Sequence, residues 1–515
     1  MSAQHAEPKY LSGGTLVLFT IAVAIANLME VLDITIANVS LPTIAGELGV
    51  SSNQGTWVIT SYAVSNAILV PLTGWFAKRF GQVRVFATAV GLFTVASLLC
   101  GLATSFPELL AFRVMQGAVA GLMVPLSQAL LMSNYPPEKR GMALVIWGMT
   151  VMVAPIAGPI LGGWITDNFH WSWIFLINVP VGLFCTFITW KLLHNRDTPT
   201  QKNPVDIMGA GLLVLWVGAL QIMLDKGNEL DWFDSPFIIS LAAIGAVGFV
   251  VFLIWELTDD HPIVDLSLLW QFRNFRMGAL SLCLGYSVFF SSMIILPLWL
   301  QTQVGYTSQW AGFALAPAGT VALVLSPIVG KFLMPRVDLR WLASFAFLTF
   351  SVMSFWRATF TSSADFVTIM LPQLCQGLAI ATFFAPLITI NMSGIPPDRI
   401  ANASGLQNFL RMMAGSFGAS LAVTLWDHRA ALHRTQLTDH LNAAAQPVQD
   451  YLTKMGDAGI PHDLAMAQIN STLTVESYTL ATNDVFWLGG CILLTLIVVI
   501  WRTKPPFGGA GGGGH

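Results

Sequence analysis

One apolar stretch near the start of the chain carries two acids and two amides: Asn27-Leu-Met-Glu30-Val-Leu-Asp33-Ile-Thr35-Ile-Ala-Asn38. Glu30 and Asp33 are three apart, so a helix places them on one side, with Asn27 and Asn38 on the same broad arc. A carboxyl in surroundings that cannot hydrate it is costly and is a functional candidate wherever it occurs. Two carboxyls this close in low dielectric do not both stay ionised at ordinary cost. One of them is therefore a site for taking up and releasing a proton. A structural ion pair or a hydrogen-bonded hinge is the plainer alternative.

Two cations lie in similarly apolar runs, Arg113 and Arg411. Arg113 falls at about the depth of Asp33 on a run of opposite direction. An ion pair between them, loosened when Asp33 takes a proton, is one reading; a permanent lock is the other. Arg411 can balance an acid, attract an anionic substrate, or bond carbonyls exposed near Gly415 and Gly418. With Asn27, Asn38, Gln116 and Gln376, it makes up the expected polar lining of a substrate cavity.

What holds these residues is a membrane. Hydrophobic residues make up 55% of the 515 and charged residues only 10%, against about 25% charged in soluble domains. Mean hydropathy is +0.68. A net charge of −3 gives no sign of a nucleic-acid partner. Runs of about 20 apolar residues cross a bilayer, and only as helices if backbone groups are to stay paired. Fourteen such runs are present, near 15–40, 55–76, 83–103, 107–133, 141–166, 173–193, 206–224, 236–257, 277–300, 310–334, 340–357, 366–392, 401–426 and 484–501. The first follows Lys9 and is too long for a signal peptide, so it is expected to remain as a span.

With the N-terminus in the cytoplasm, 17 of the 24 Lys and Arg fall on the cytoplasmic side, as the positive-inside rule requires. Five fall outside, namely Lys226, Arg357, Arg429, Arg434 and Lys454, and two lie within spans. The five cysteines sit in apolar runs without a CxxC pair and read as reduced packing residues.

The chain also repeats itself. Gly49, Pro71 and Gly74 match Gly305, Pro327 and Gly330 at an offset of 256; Gln116-Gly117, Pro136-Pro137 and Gly158 match Gln376-Gly377, Pro396-Pro397 and Gly418 at 260. The expected organisation is all-α: a six-helix bundle over 1–203, two additional spans over 204–260, and a second six-helix bundle over 261–515. Parallel six-span repeats place a binding site between the halves.

Small residues mark where helices must approach. In Ala154-Pro155-Ile-Ala-Gly158-Pro159-Ile-Leu-Gly162-Gly163, Gly158 and Gly162 line one face. Pro155 and Pro159 remove backbone donors and bend the helix. The loop Gly74-Trp-Phe-Ala-Lys78-Arg79-Phe-Gly81-Gln-Val-Arg84 sets cations at the cytoplasmic face, either to meet helix ends and acids or simply to orient the chain. No Walker, HExxH or GxSxG pattern is present, so neither enzyme chemistry nor a cofactor is expected. The outer loop 427–483 holds His428, His433, His440 and His462, which read as solvated residues rather than metal ligands.

These motifs resemble the fourteen-span drug:proton antiporter branch of the major facilitator superfamily. Leu32-Asp33-Ile34-Thr35-Ile36-Ala37-Asn38-Val39 resembles its span-1 signature, and Arg113-Val-Met-Gln116-Gly117 its span-4 motif linked to proton transfer. The glycine segment of span 5 resembles its antiporter motif. Trp171-Ser-Trp173-Ile174-Phe175-Leu-Ile-Asn178-Val-Pro180 also fits. The resemblance implies a multi-pass inner-membrane exporter of hydrophobic toxic compounds, driven by protons through Asp33, Glu30 and Arg113. It further implies a periplasmic adaptor and a TolC-type outer-membrane channel, with the long outer loop as the first surface to consider. One departure stands out: the family loop has Asp where this chain has Lys78, so another acid must serve there. A dedicated exporter of one lipid or metabolite, such as a fatty acid, and a non-transporting membrane receptor or scaffold are the rival readings.

Overall fold

The computed structural model describes residues 10–136, 139–200, 206–259, 262–440 and 446–507. Lys9, Pro137, Lys202, Asp260 and the tail from Gly508 lie outside these residues, as do the side chains of Pro155 and Pro159. In chain order the helices are α1 (Gly13–Glu47), α2 (Ser52–Gly55), α3 (Trp57–Leu69), α4 (Thr73–Phe80), α5 (Gln82–Leu102), α6 (Phe106–Asn134) and α7 (Arg140–Asn168). They continue with α8 (Trp173–Leu176), α9 (Asn178–Leu193), α10 (Ile207–Lys226), α11 (Pro236–Thr258), α12 (Ser267–Gln271), α13 (Arg273–Thr302) and α14 (Ser308–Ile328). The last are α15 (Leu339–Arg357), α16 (Phe366–Met392), α17 (Ile400–His440), α18 (Gln446–Asp457) and α19 (His462–Ile500).

Twelve of the described helices are long and apolar enough to cross a bilayer, and α3 with α4, bent by 58°, forms a thirteenth span. The 29-residue α7 is about 44 Å long and completes the fourteen. The bend after Leu69 satisfies its own backbone: Leu72 N–H donates to Leu69 O at 3.1 Å and Thr73 N–H to Val70 O at 3.2 Å. Helix starts are capped by short acceptors, among them Asp206, Thr307, Asp338 and Asp365. The hydroxyl and backbone N–H of Thr368 hold the Asp365 carboxyl below the usual carboxylate range.

The helices pack in two sets. α1 lies against α7, α9 and α6, and α3 and α5 lie against α6; in the second set α13, α17 and α19 pack together with α14, α15 and α16 around them. α10 and α11 pair with each other, and α10 touches both α3 and α17. Side chains such as Leu183, Phe187, Val247, Val250 and Trp341 remain exposed on the outer faces, as lipid contact requires. Lys78, Arg79, Arg84, Arg140, Arg336, Arg340 and Arg399 gather at one end of the bundle, called the basic end here.

One expectation needs correction. The outer segment 427–483 is not an open loop. α17, with 41 residues, is about 60 Å long, twice the thickness of a hydrocarbon core, and α19 has 39. They continue as a helical hairpin joined through α18. There Asp484 accepts from Arg429 Nε at 2.6 Å and pairs with His433 Nε2 at 2.7 Å. Arg357 and Lys226, assigned to the outer side by the charge count, are only 2% and 4% exposed. Each closes a span and turns back into the protein: Arg357 Nη2 donates to Gln373 Oε1 at 2.9 Å, and Lys226 Nζ to Glu229 Oε2 at 2.7 Å and to Thr56 Oγ1.

Candidate functional site

α1 carries both acids into the interior, Glu30 at 3% and Asp33 at 2% exposure. The one turn between them sends them into different pockets. Asp33 meets three side-chain donors from two other helices, α6 and α9. Arg113 Nη1 of α6 lies 2.6 Å from Oδ2, while Gln116 Nε2 and Asn178 Nδ2 donate to Oδ1 at 3.0 and 2.8 Å. Ser97 Oγ of α5 accepts from the same two amides at 2.7 and 3.3 Å and locks their orientation. Gln116 Oε1 accepts from Arg113 Nη1 at 2.6 Å. A buried ion pair survives only with such additional bonds, because desolvation otherwise outweighs the attraction.

Arg113 is fully buried, its Nε donating to Val58 O at 3.0 Å. Its guanidinium stacks over Tyr62 at 4.2 Å and near Phe175 at 5.4 Å. Its Nη2 has no partner. Adding a proton to Asp33 removes the charge that this guanidinium pairs with and turns an acceptor into a donor facing two amide N–H groups. The cluster joins side chains of α1, α5, α6 and α9.

Glu30 faces α3 instead. Asn66 Nδ2 donates to its Oε1 at 3.0 Å and Tyr62 OH at 3.4 Å. Tyr62 thus touches both pockets, ring to Arg113 and hydroxyl to Glu30. Glu30 is not matched to the buried cation of α17, Arg411. No ion pair closes between them among the described residues.

The remaining expected cavity residues scatter. Asn27 is buried and donates to Thr150 Oγ1 of α7. Asn38 is exposed, beyond the cluster. Gln116 belongs to the Asp33 pocket, not to a cavity between the halves. Gln376 is buried in α16, one turn from Gln373, with Oε1 unpartnered. At the offset of 260, Gln376, Gln373 and Arg357 correspond to Gln116, Arg113 and Ser97. The second set has a polar cluster in the matching place, but α13 contains no acid to complete it. Arg411 is 9% exposed, donates through Nη2 to Asn408 Oδ1 at 3.1 Å and lies 4.8 Å over Tyr286.

The glycine motifs act where helices meet. A Cβ on Gly158 would run into Thr35, and one on Gly162 would sit 3.2 Å from Ile36 O, so α7 lies directly on the turn of α1 that follows Asp33. Thr35 Oγ1 reaches Ala154 O at 3.2 Å across that contact. Gly163 faces open space. At the basic end Gly74 presses on Asn402, its Cβ position 2.8 Å from Asn402 Cα. Its repeat partner Gly330 presses on Val145, 2.7 Å from Cγ2. Ser404 Oγ donates to Pro125 O at 3.0 Å and Asn408 Nδ2 to Gln128 Oε1 at 2.8 Å across the same seam. The two sets are therefore joined at the basic end.

The acid that meets the chain in the loop that carries Lys78 is Asp197, just after α9. It accepts the N–H groups of Val83 and Arg84 at 2.9 and 3.3 Å and pairs with Arg84 Nε at 3.4 Å, while Thr198 Oγ1 accepts from Gln82 N at 3.1 Å. The N-terminus of α5 is thus capped from another helix. Gly81, at φ +92°, is left-handed, and a Cβ there would fall 2.5 Å from Asp197 Cγ. Arg79 ends α4 beside it. Sequence reading missed Tyr62, Asn66, Ser97 and Asp197 as site residues. Isolated polar groups inside apolar runs were the available signal for the first three.

A family model described as Major Facilitator Superfamily matches residues 23–419. The multidrug export protein EmrB of Haemophilus influenzae is 50% identical over 97% of this chain and 98% of its own. The protein of that name from Escherichia coli strain K12 is 48% identical over 99% of each. The fatty acid resistance protein FarB of Neisseria gonorrhoeae is 46% identical over 98% of this chain and 99% of its own. Among solved structures, the proton:xylose symporter XylE aligns over 95% of this chain and 96% of its own, with a TM-score of 0.59 at 14% identity. The human organic anion transporter MFSD10 aligns over 94% and 100%, with a TM-score of 0.58 at 14% identity. Two sets of six spans with an additional pair, glycine contacts at their seam and a match across most of the sequence converge: the chain belongs to the major facilitator superfamily and is a multi-pass membrane transporter.

Proposed function

We propose that the chain is a proton-coupled exporter of hydrophobic, drug-like compounds. The observation that carries this reading is the Asp33–Arg113 pair, buried among four helices and adjoining the α1–α7 glycine contact. The names of the EmrB relatives support the cargo class. In this reading the halves comprise residues 1–203 and 261–515 with an inserted pair at 204–260, both termini are cytoplasmic, and the basic end faces the cytoplasm of the inner membrane. The present arrangement, joined at that end, is then the outward-facing one.

The cycle runs by alternating access. Outward-facing, Asp33 takes a proton, with Glu30 as the second acid of the unit, and Arg113 loses its partner. The α1–α7 contact shifts, the Gly74 and Gly330 contacts open, and the halves close at the other end. Inward-facing, the proton leaves and cargo enters. One charge crossing contributes about 2.3 kcal/mol per 100 mV and each pH unit about 1.36 kcal/mol. Cargo drives its own export only by binding one state better than the other.

The α17–α19 hairpin, standing clear of the membrane, supports assembly with an EmrA-like periplasmic adaptor and, through it, a TolC-type outer-membrane channel. Reconstitution tests the core of the proposal: proteoliposomes with an imposed pH gradient should accumulate hydrophobic dyes, and collapsing the gradient should stop them. No gradient dependence would refute it. FarB's name favours a second reading, a dedicated fatty-acid exporter. A cargo panel in the same vesicles separates the two, since a dedicated exporter moves fatty acids and no dye.

A further inference from the structure

Arg411 is a cation without a fixed counter-ion. It lies about three turns into α17, and among the described residues no carboxylate stands within ion-pair distance of it. Its Nη2 has one neutral partner, Asn408, and its Nε has none. Tyr286 of α13 supports the guanidinium from one face. That support is built in: a Cβ on Gly415 would lie 2.9 Å from Tyr286 Cε1, so the glycine lets the ring lie along α17. The carbonyls near Gly415 and Gly418 are not its partners; Ser291 Oγ takes Gly418 O at 2.8 Å.

Glu30, on the opposite set of helices, already has Asn66 and Tyr62 as donors. The Arg411 Nε donor has no partner among the described residues. A buried guanidinium with a vacant donor, at the seam between two moving halves, fits a planar anion that supplies the missing acceptor.

We infer that Arg411 is the specificity residue that receives a single anionic group, such as a carboxylate, on the exported compound. The inference rests on the export reading above and adds that this cleft discriminates by charge. The cargo anion takes the guanidinium donors of Arg411 that Asn408 does not hold.

The test compares two fluorescent compounds of one shape, 1-pyrenebutyrate and the neutral 1-pyrenebutanol. Each is titrated into the full chain in lipid nanodiscs, with empty nanodiscs subtracted. Arg411→Gln should weaken pyrenebutyrate binding about tenfold or more and leave pyrenebutanol unchanged; Arg411→Lys should restore much of the difference. Retained pyrenebutanol binding also reports that the variant is folded. Equal loss of both compounds, or loss of neither, overturns the inference and leaves the export reading standing. Failure of the unsubstituted chain to bind either compound overturns both.

Discussion

The Arg113 guanidinium stacks 4.2 Å over the ring of Tyr62, and the hydroxyl of that ring turns the other way, toward Glu30. One aromatic side chain on α3 thus separates and joins the two acid pockets of α1. The desolvated stack is worth about 2 kcal/mol. Tyr62→Leu should lower stability by that order, whereas Tyr62→Phe, which keeps the ring, should cost less than half as much. Thermal unfolding in nanodiscs measures both, and equal losses would mean that the stack contributes little.

Gly74 and Gly330 hold the basic end closed as a repeat-related pair. Overpacking a contact of this kind costs about 1–3 kcal/mol, and here the cost falls on the closed arrangement alone. Gly74→Ala or Gly330→Leu should move the population roughly tenfold or more toward an opened basic end. Spin-label distances between α4 and α17 should lengthen, and an unchanged distribution would count against the seam described here.

Gly158 meets Thr35 one turn from the Asp33 pocket. Gly158→Ala should depress export by about an order of magnitude, because the added methyl presses α7 away from α1. The double variant Gly158→Ala with Thr35→Ala should recover part of the loss, since the two positions share one contact. Export rates that add independently in the two single variants would show that this contact does not couple them.

Asp197 caps α5 from outside its own helix. Asp197→Ala leaves three backbone N–H groups, of Val83, Arg84 and Thr198, without that acceptor, and the expected loss is about 1–2 kcal/mol. Gly81→Ala should be worse, through both left-handed backbone and collision. Unfolding midpoints check the order.

Much of this was readable before any coordinates. Apolar run length fixed the spans, because a bilayer leaves backbone no other conformation. Glu30, Asp33 and Arg113 stood out because charge inside such runs is rare. The repeat offset paired Gly74 with Gly330. What could not be read depends on side-chain direction and long-range packing. The same helix side sends Glu30 to α3 and Asp33 to α6. Arg357 and Lys226 lie at span ends, where sequence cannot tell a cation facing water from one folded back. Asp197 caps α5 across more than a hundred residues of chain. The hairpin beyond the membrane was hidden because its polar helices have no apolar run to announce them.

The central claim is that a proton on Asp33 drives transport, and Asp33→Asn tests it most directly. In proteoliposomes with an imposed pH gradient, dye flux and the accompanying lumenal pH change are followed together. The expected result is dye binding close to that of the unsubstituted chain, with gradient-driven flux and proton movement both reduced to background. Gradient-driven flux and proton movement at full rate in Asp33→Asn would contradict the account.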